Sequence, residues 1–250
     1  MTNRIISISI LAFMCLSCMC LFFVALLIWT FTVLFDKKLK ILHYFSSFWA
    51  SIYIWLIPAW SVTIKGKEHI DKNKTYVVTS NHQSLLDILV AFRLFFHFKW
   101  VSKAEIFQIP FIGWNMRLNR YIALRRGDKE SVQQMFDDCN KAISQGNSVF
   151  MFPEGTRSKY RQLKSFKPGA FVLAKDNHIP ILPIAISGTR EALPKHSLNF
   201  HGKNPIIVEI LPEISSETVD QLSVEELSEK VHSVISRQVM NNYVVIDAQN

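Results

Sequence analysis

Cysteine is scarce in this 250-residue sequence, and its placement argues against both a disulfide framework and a cysteine metal site. There are four cysteines, and three of them, Cys15, Cys18 and Cys20, stand inside an uninterrupted apolar run. Thiolates inside hydrocarbon would lack the polar support that a metal site requires, so we interpret them as packing or lipid-facing residues. We expect neither a disulfide-stapled fold nor a metal site, since none of the histidine spacings suggests one either.

Charged side chains are missing from Ile5 to Phe35, a stretch rich in Leu, Ile, Phe and Val. At about 1.5 Å per residue, a helix of this length exceeds the roughly 30 Å hydrocarbon core of a bilayer. The alternative is a cleaved signal peptide, with Arg4 as a weak positive amino-terminal region. However, the run is far longer than a signal core of about 7–15 residues, and no small-residue cleavage pattern follows it. We therefore predict a retained transmembrane anchor.

Basic residues follow this predicted anchor closely. Lys37, Lys38 and Lys40 come just after it, whereas only Arg4 precedes it, so the positive-inside rule predicts that most of the protein lies in the cytoplasm. The whole chain carries a formal net charge of +8. Because no recognisable nucleic-acid motif is present, we interpret this excess as contacts to anionic membrane lipids or to a phosphate-bearing substrate, and we expect no nucleic-acid partner.

A second apolar segment, Ile41–Trp60, contains three tryptophans, a residue type that favours the membrane interface. We predict a helix that lies in the interface or spans the bilayer a second time, and that ends near Pro58. A chain of 250 residues with 49% apolar content supports one sizeable domain plus an anchor. The predicted organisation is an anchor over residues 1–62 and a catalytic α/β domain over residues 63–250.

Short β-branched runs alternate with helix-length segments from Val62 onward, which is the pattern of an α/β domain. Strands are predicted at Tyr76–Thr79, Lys99–Ser102, Tyr121–Leu124, Ser148–Phe152, Ile181–Ile186 and Ile206–Leu211. Helices are predicted at Leu85–Phe96, Ile106–Leu118, Lys129–Gln145 and Gly169–Asp176, with an acidic amphipathic helix from about Val224 to Met240.

The first motif with chemical content follows the predicted strand at 76–79, where NHQSLLD occupies residues 81–87. If a helix begins at Gln83 or Ser84, Asp87 lies about one turn from the loop that carries His82, close enough to hold one imidazole nitrogen. Such a carboxylate raises the basicity of the imidazole and fixes its tautomer, as a general base for an alcohol requires. The alternative is a pair that only caps the helix and ties the loop.

The second motif, FPEGTRS at residues 152–158, follows another apolar strand. Gly155 permits close backbone approach to a substrate, and Arg157 offers a planar fork suited to a phosphate. The alternative is a surface turn in which Glu154 and Arg157 pair with one another.

Basic residues surround these two motifs. Between Arg93 and Lys129 there are eight Lys or Arg against two acidic residues, and those beside predicted strand ends are Lys103, Arg120, Arg125 and Arg126. A second cluster follows the FPEGTRS motif and consists of Arg157, Lys159, Arg161, Lys164 and Lys167. This arrangement would place positive potential around the opening of one binding site. A solvated or membrane-facing surface would also explain most of the charges.

Four blocks of the sequence resemble, in order, the motifs of the glycerolipid acyltransferases, the family of 1-acyl-glycerol-3-phosphate acyltransferases. NHQS at 81–84 with Asp87 is similar to the family's His-x4-Asp motif, and FPEGTRS at 152–158 resembles its acceptor-binding motif. Between them, KAEIF at 103–107, Pro110, Gly113 and YIALRRG at 121–127 resemble its second block, and ILPIAI at 181–186 resembles its fourth. The resemblance covers most of the predicted domain, but neither the anchor nor the acidic carboxy-terminal helix.

The resemblance implies roles for individual residues. His82 is expected to be the general base for the acceptor hydroxyl, with Asp87 as its orienting partner. The residues expected to hold the acceptor phosphate are Glu154, Gly155, Thr156 and Arg157, together with Arg126 and Lys103. Pro183 is expected to shape the acyl-donor side. Where the family often has Gly and then Asp before its arginine, this chain has Arg120 and Arg125, which predicts a more basic phosphate pocket.

The resemblance also implies a fold and an activity. The expected fold is an α/β domain whose mixed central sheet is flanked by helices, behind a helical membrane anchor, with no cofactor and no metal. The expected reaction transfers a fatty acyl group from acyl-CoA or an acyl carrier protein to the sn-2 hydroxyl of 1-acyl-glycerol-3-phosphate and gives phosphatidic acid.

Three alternatives to this reaction stay open. The first is an acyltransferase with another lysophospholipid or a lyso-aminolipid as its acceptor. The second is a hydrolase that uses Ser84, His82 and Asp87, although no Gly-x-Ser-x-Gly elbow is present. The third is a non-catalytic lipid-binding module, which would keep the basic pocket but would not need His82 beside Asp87.

Overall fold

A computed structural model describes residues 2–158, 160–194 and 203–248, with side chains described from residue 8 onward. The helices are α1 (Thr2–Thr32), α2 (Lys40–Leu56), α3 (Leu86–Phe92), α4 (Ile112–Leu118), α5 (Lys129–Ser144), α6 (Gly169–Asp176), α7 (Thr189–Ala192), α8 (Ser216–Gln221) and α9 (Val224–Asp247). The strands are β1 (Trp60–Lys65), β2 (Val77–Ser80), β3 (Phe98–Lys103), β4 (Ile122–Leu124), β5 (Ser148–Met151), β6 (Ile181–Ser187) and β7 (Asn204–Ile210).

The strands form one mixed sheet in the order β1-β7-β6-β2-β5-β3-β4. The β6–β7 pair is antiparallel, and the other neighbouring pairs are parallel. The predicted α/β fold with a mixed central sheet is therefore confirmed. Because β2, β5 and β6 are parallel neighbours at the centre of the sheet, the loops that leave their carboxyl ends start at one edge.

Helices cover both faces of this sheet. Side chains that alternate in direction along each strand contribute to the apolar core on each face. In β2, Val78 belongs to the cluster that contains α2 and α3 residues, whereas Val77 belongs to the cluster formed with α5, α6 and α9. Successive side chains of a strand point to opposite faces, so strands as apolar as β2 and β6 are typical of sheets buried on both sides.

The apolar amino-terminal helix α1 packs against α2 and α4. The hydroxyl of Tyr53 in α2 lies 3.0 Å from Ser17 Oγ, and the ring of Phe22 is 5.5 Å from that of Trp114 in α4. Within α1, Ile8–Thr32 has a mean hydropathy of 2.8 and is mostly exposed, so its length and composition suit a membrane span. A signal sequence passes the same test of length and composition, and the retained anchor stays a prediction.

The second apolar segment is built into the core of the protein. Along α2, residues such as His43, Trp49 and Ile54 are buried, and α2 packs on α3 and β1. The predicted boundary between residues 62 and 63 lies inside β1, which pairs with β7. The division into an anchor and a catalytic domain remains a prediction, but α2 and the start of β1 share their packing with the sheet.

Some elements differ from the prediction at points where the backbone turns. The helix predicted over Leu85–Phe96 ends at Phe92, because the chain reverses at Phe95 (φ 49°) to enter β3. The segment predicted as one helix over Ile106–Leu118 is a 3-10 turn followed by α4, with Pro110 and Phe111 (φ 62°) between them. At Gly113, a Cβ atom would lie 2.5 Å from the backbone of Phe107, so only glycine allows this close turn.

Candidate active site

The loops at the carboxyl ends of β2, β5 and β6 bond to one another. The Asn81 side chain at the end of β2 donates to Ile186 O of β6 and accepts from Ile186 N, at 2.8 and 2.9 Å. On the other side, the Ser158 N–H donates to His82 O at 2.8 Å. The loop that carries His82 is thus fixed between the loops that follow the neighbouring strands.

The sequence motif around His82 forms the predicted histidine–carboxylate pair. His82 Nδ1 lies 2.7 Å from Asp87 Oδ2, and the same oxygen accepts the backbone N–H groups of Gln83 and Ser84 at 2.6 and 2.8 Å. The other oxygen, Oδ1, accepts the hydroxyl of Thr189. Asp87 is fully buried, and these four donors compensate for the removal of its charge from water.

This arrangement leaves the second ring nitrogen of His82 available for chemistry. A carboxylate acceptor at Nδ1 keeps the proton on that nitrogen, so Nε2 presents its lone pair. The imidazole stacks on Phe152 with ring centroids 4.1 Å apart, which fixes the plane of the ring. With a side chain that is 13% exposed, His82 lines a cavity and can take a proton from a group bound there.

The cavity has a volume of about 460 Å³ and combines a basic mouth with apolar walls. His82 lies in its lining together with Lys103, Arg126, Gly155, Thr156 and Arg157, all predicted from the motifs. The apolar wall comes from α2, α3, α4 and β3, and includes Trp49, Ala50, Ile88, Trp100 and Met116. An amphiphile with an anionic end fits this distribution of charge.

Glu154 is buried behind this mouth and ties two loops together. One carboxylate oxygen accepts the His82 N–H at 2.7 Å and the other accepts the Lys164 N–H at 2.9 Å. Burial raises the pKa of Glu154, and these two hydrogen bonds partly oppose that shift. Both oxygens are occupied by backbone groups, so its position does not fit the predicted contact to phosphate, nor a surface pair with Arg157.

Several basic residues that were expected around the mouth have other positions. Arg120 and Arg125 do not line the cavity, so the prediction that they make the pocket more basic is wrong. Arg125 lies 3.6 Å from Asp128, and Arg161 is bonded to Asp247 of α9. Lys164 donates from Nζ to Arg157 O at 3.2 Å. Of the other members of that cluster, Lys167 does not line the cavity and its N–H donates to Pro153 O at 2.9 Å, and Lys159 lies outside the described residues.

Two further sequence predictions concern Pro183 and Ser84. Pro183 lies within β6 beside Thr79 of β2 and does not line the cavity, so the structure does not bring it to the proposed donor side. Ser84 Oγ donates to Leu193 O at 2.7 Å and accepts from Leu86 N at 3.2 Å. Its hydroxyl therefore stabilises the loop, which gives no support to a Ser84 nucleophile.

Sequence reasoning missed Thr189, the donor to Asp87. One signal was available, because Thr189 follows the buried strand β6 just after Gly188, and β6 is the parallel neighbour of β2. The cavity walls from α1 and α2, with Cys18, Trp49 and Tyr53, carried no such signal. These residues lie in segments interpreted as membrane anchor.

An α/β fold with a histidine–carboxylate pair at a basic mouth and an apolar cavity behind it has the layout of an enzyme for anionic amphiphiles. Residues 61–187, about half of the chain, match the family model described as Acyltransferase. The chain belongs to this acyltransferase family. Its predicted membership is confirmed.

Curated relatives and a solved structure agree with this assignment. A chloroplastic 1-acyl-sn-glycerol-3-phosphate acyltransferase of Arabidopsis thaliana is 40% identical over 182 residues, which cover 71% of this chain and 51% of that protein. The 1-acyl-sn-glycerol-3-phosphate acyltransferase of Saccharomyces cerevisiae is 36% identical, with 68% and 57% covered. The chain thus spans about half the length of these relatives.

The crystal structure of the 1-acyl-sn-glycerophosphate acyltransferase PlsC from Thermotoga maritima superposes with a TM-score of 0.79. The alignment covers 96% of this chain and 98% of that one, at 22% identity. The two chains therefore share one fold over nearly their whole length, including the amino-terminal helices.

Proposed function

We propose that this protein transfers a fatty acyl group from acyl-CoA or an acyl carrier protein to the sn-2 hydroxyl of 1-acyl-glycerol-3-phosphate and forms phosphatidic acid. The observation that carries the proposal is that His82 and Arg157 line the same cavity. A base and a phosphate-binding group that share one cavity can act on one acceptor molecule. The names of the curated relatives support the same acceptor.

In the proposed reaction, Nε2 of His82 takes the proton of the acceptor hydroxyl while the oxygen attacks the thioester carbonyl. The new C–O ester bond forms, the C–S bond breaks, and the departing sulfur receives the proton from the imidazolium. Asp87 stabilises that imidazolium through Nδ1–H. Arg157, Lys103 and Arg126 neutralise the acceptor phosphate, and the apolar wall takes an acyl chain.

The proposed location is a membrane, with the catalytic residues on the cytoplasmic side. Helix α1 supplies the apolar length, and Lys37, Lys38 and Lys40 follow it directly. Helices α2 and α4 also carry exposed apolar side chains, among them Phe48, Trp55 and Trp114. A membrane surface would bring lysolipid and acyl donor to the cavity, which raises the rate through proximity.

The test is an acyl-transfer assay on purified protein in detergent, with a panel of lysophospholipid acceptors and either acyl-CoA or acylated carrier protein. Release of free thiol and formation of lipid product are followed together. We expect both with 1-acyl-glycerol-3-phosphate, and we expect His82→Ala to lower kcat by roughly 10²–10⁴-fold, the usual contribution of a general base.

A matched control is His178→Ala, which removes an exposed imidazole paired with Asp220 outside the cavity lining and should retain wild-type activity. Thiol release without any acceptor would instead indicate a hydrolase. Transfer to a different lysolipid would reassign the acceptor, and turnover with none would favour a binding module.

A further inference from the structure

The carboxy-terminal helix α9 lies beyond the residues that match the acyltransferase family, yet it reaches the loop of His82. Tyr243, in the last turns of α9, is 2% exposed. Its hydroxyl lies 2.9 Å from Gln83 Oε1 and 3.1 Å from Glu191 Oε2 of α7. It also accepts the Gly188 N–H at 3.4 Å. A single phenol group thus joins α9 to the loops after β2 and β6.

Gln83 is the residue through which this contact reaches the histidine–carboxylate pair. It follows His82 directly, its side chain is buried, and its backbone N–H donates to Asp87 Oδ2 at 2.6 Å. Gln83 Nε2 has no hydrogen-bond partner within the described part of the chain. If the amide is turned over, Nε2 donates to the Tyr243 oxygen. In either orientation, Tyr243 holds one end of Gln83 while Asp87 holds the other.

The position of Tyr243 is itself fixed from outside by Arg161. The guanidinium of Arg161 lies 4.0 Å from the centre of the Tyr243 ring. It also donates to both carboxylate oxygens of Asp247, at 2.6 and 3.0 Å. Arg161 belongs to the loop that follows β5 and carries Arg157, so the end of α9 is bonded to that loop as well. A ring stacked under a bidentate ion pair has little freedom to move.

We propose that Tyr243 is a positioning residue for the catalytic pair: it holds Gln83 so that the loop keeps Asp87 aligned with His82 Nδ1. This inference rests on the proposed function of His82 as a general base. Tyr243 does not line the cavity, so it acts through Gln83 and not on the substrate. A loosened pair still binds both substrates but transfers the proton less efficiently.

The test variant is Tyr243→Phe, which keeps the ring under Arg161 and removes only the hydroxyl. We expect kcat for acyl transfer to fall about tenfold, a part of the 10²–10⁴-fold that a general base contributes, while KM for both substrates stays unchanged. Gln83→Met, which keeps the length of the side chain, should have the same effect. Tyr243→Phe also removes the contacts of the hydroxyl to Glu191 and Gly188, but the loss in kcat is assigned to the contact with Gln83, which both variants remove, so the double variant should be no worse than Tyr243→Phe alone.

The matched control is Tyr76→Phe, which removes another fully buried hydroxyl, at the opposite edge of the sheet, bonded to the Asp71 N–H at 3.2 Å. It should keep wild-type kcat even where it lowers the melting temperature as much as Tyr243→Phe does. This comparison separates a positioning role from a general loss of stability.

A second measurement does not depend on the identity of the acceptor. In protein labelled with 15N-histidine, the Nδ1–H proton of His82 can be assigned by its absence in His82→Ala. We expect this resonance to move upfield and to exchange faster with water in Tyr243→Phe, as its hydrogen bond to Asp87 loosens. If the wild type shows no transfer to any acceptor, the proposed function fails, and this resonance still tests the positioning. An unchanged resonance, additive losses in the double variant, or a change in KM alone would overturn the inference.

Discussion

Two buried carboxylates with different environments organise the site. Asp87 accepts four donors, among them the His82 imidazole, whereas Glu154 accepts two backbone N–H groups, those of His82 and Lys164. Burial of a charge costs free energy unless donors surround it, so each carboxylate enforces the loop geometry that supplies those donors. The alignment of His82 is thus present before substrate binds, which is the preorganisation that its proposed role as a general base requires.

Glu154→Gln tests the loop tie and its dependence on pH. Burial raises the pKa of Glu154 in the folded protein, so the folded state binds a proton more readily than the unfolded chain. The contribution of Glu154 to the free energy of unfolding therefore falls as the pH rises above about 4.3, the ordinary value for glutamate. The variant lacks this loss, and its melting temperature relative to wild type should rise between pH 4 and pH 7.

The same variant should be less active, because an amide cannot accept from both the His82 and the Lys164 N–H groups. A small displacement of these loops lowers kcat by roughly tenfold to a hundredfold. Thermal unfolding in detergent and the acyl-transfer assay measure the two effects, with Glu209→Gln on β7 as a control that leaves both unchanged. A melting temperature that falls relative to wild type as the pH rises would contradict the argument.

At the scale of elements, α2 contributes a wall of the cavity. Its cavity-lining residues are Ser46, Trp49, Ala50 and Tyr53, which recur every three or four positions and so lie on one face of the helix. Its exposed side chains, such as Phe48 and Trp55, point elsewhere. One helix therefore joins an exposed apolar surface, which is proposed to face the membrane, to the chamber that is proposed to hold an acyl chain.

Ala50→Phe tests this role, because a larger side chain on the cavity face shortens the apolar chamber. Exclusion of two methylene groups costs about 1.6 kcal/mol at about 0.8 kcal/mol each, so the ratio of kcat/KM for long over short acyl donors should fall more than tenfold. A series of acyl-CoA chain lengths measures this ratio. The control Ile52→Phe adds a ring to α2 away from the cavity lining, and an equal shift in preference there would contradict the assignment.

The elements that the sequence predicts well are those with a strong local signal. The strands around both motifs, α5, α6 and most of α9 lie where the alternation of β-branched runs and helix-length segments predicts them. In the structure, Asp128 caps the start of α5 by accepting from Ser131 N. The first strand, β1, was not predicted. It begins at Trp60, the last residue of the apolar segment Ile41–Trp60, and its partner is the distant strand β7, where Trp60 pairs with Asn204. In the same way, the sequence shows Tyr243 only as one residue of an amphipathic helix. Its proposed role depends on a contact with Gln83, which lies 160 residues away along the chain.

In the site, too, the residues that belong to contiguous motifs were predictable, whereas the contacts that depend on the tertiary fold were not. His82, Asp87, Arg157 and their neighbours were predictable because each motif is contiguous and follows a strand. Glu154 belongs to the same motif, but its direction is set by a backbone N–H from another loop. Motif membership therefore predicts which residues gather at the edge of the sheet, whereas the fold decides which of them face the cavity.

At the scale of the whole molecule, an exposed apolar helix is followed directly by basic residues. The apolar residues of α1 that are exposed include Leu16 and Phe31, and Lys37, Lys38 and Lys40 follow them in the chain. Basic residues next to a span favour the cytoplasmic side, where anionic lipids also attract them. The catalytic edge of the sheet would then stand next to the inner surface of the membrane.

A cysteine accessibility experiment tests this orientation. In a Cys15→Ala, Cys20→Ala background the two remaining native cysteines, Cys18 and Cys139, are buried, and Arg237→Cys places a thiol on the exposed side of α9. When the protein is expressed in bacterial cells, a membrane-impermeant maleimide should label it in inverted membrane vesicles and leave it unlabelled in intact cells.

The three lysines after α1 are proposed to set the orientation, so a change of their charge should alter the labelling. Replacement of Lys37, Lys38 and Lys40 by glutamate reverses the local charge bias while α1 keeps its apolar length, so part of the population should become labelled in intact cells. Labelling of Arg237→Cys in intact cells without these changes would place the catalytic domain outside and contradict the proposed location. If the protein is labelled equally in both preparations and washes off the membrane at alkaline pH, α1 does not act as an anchor.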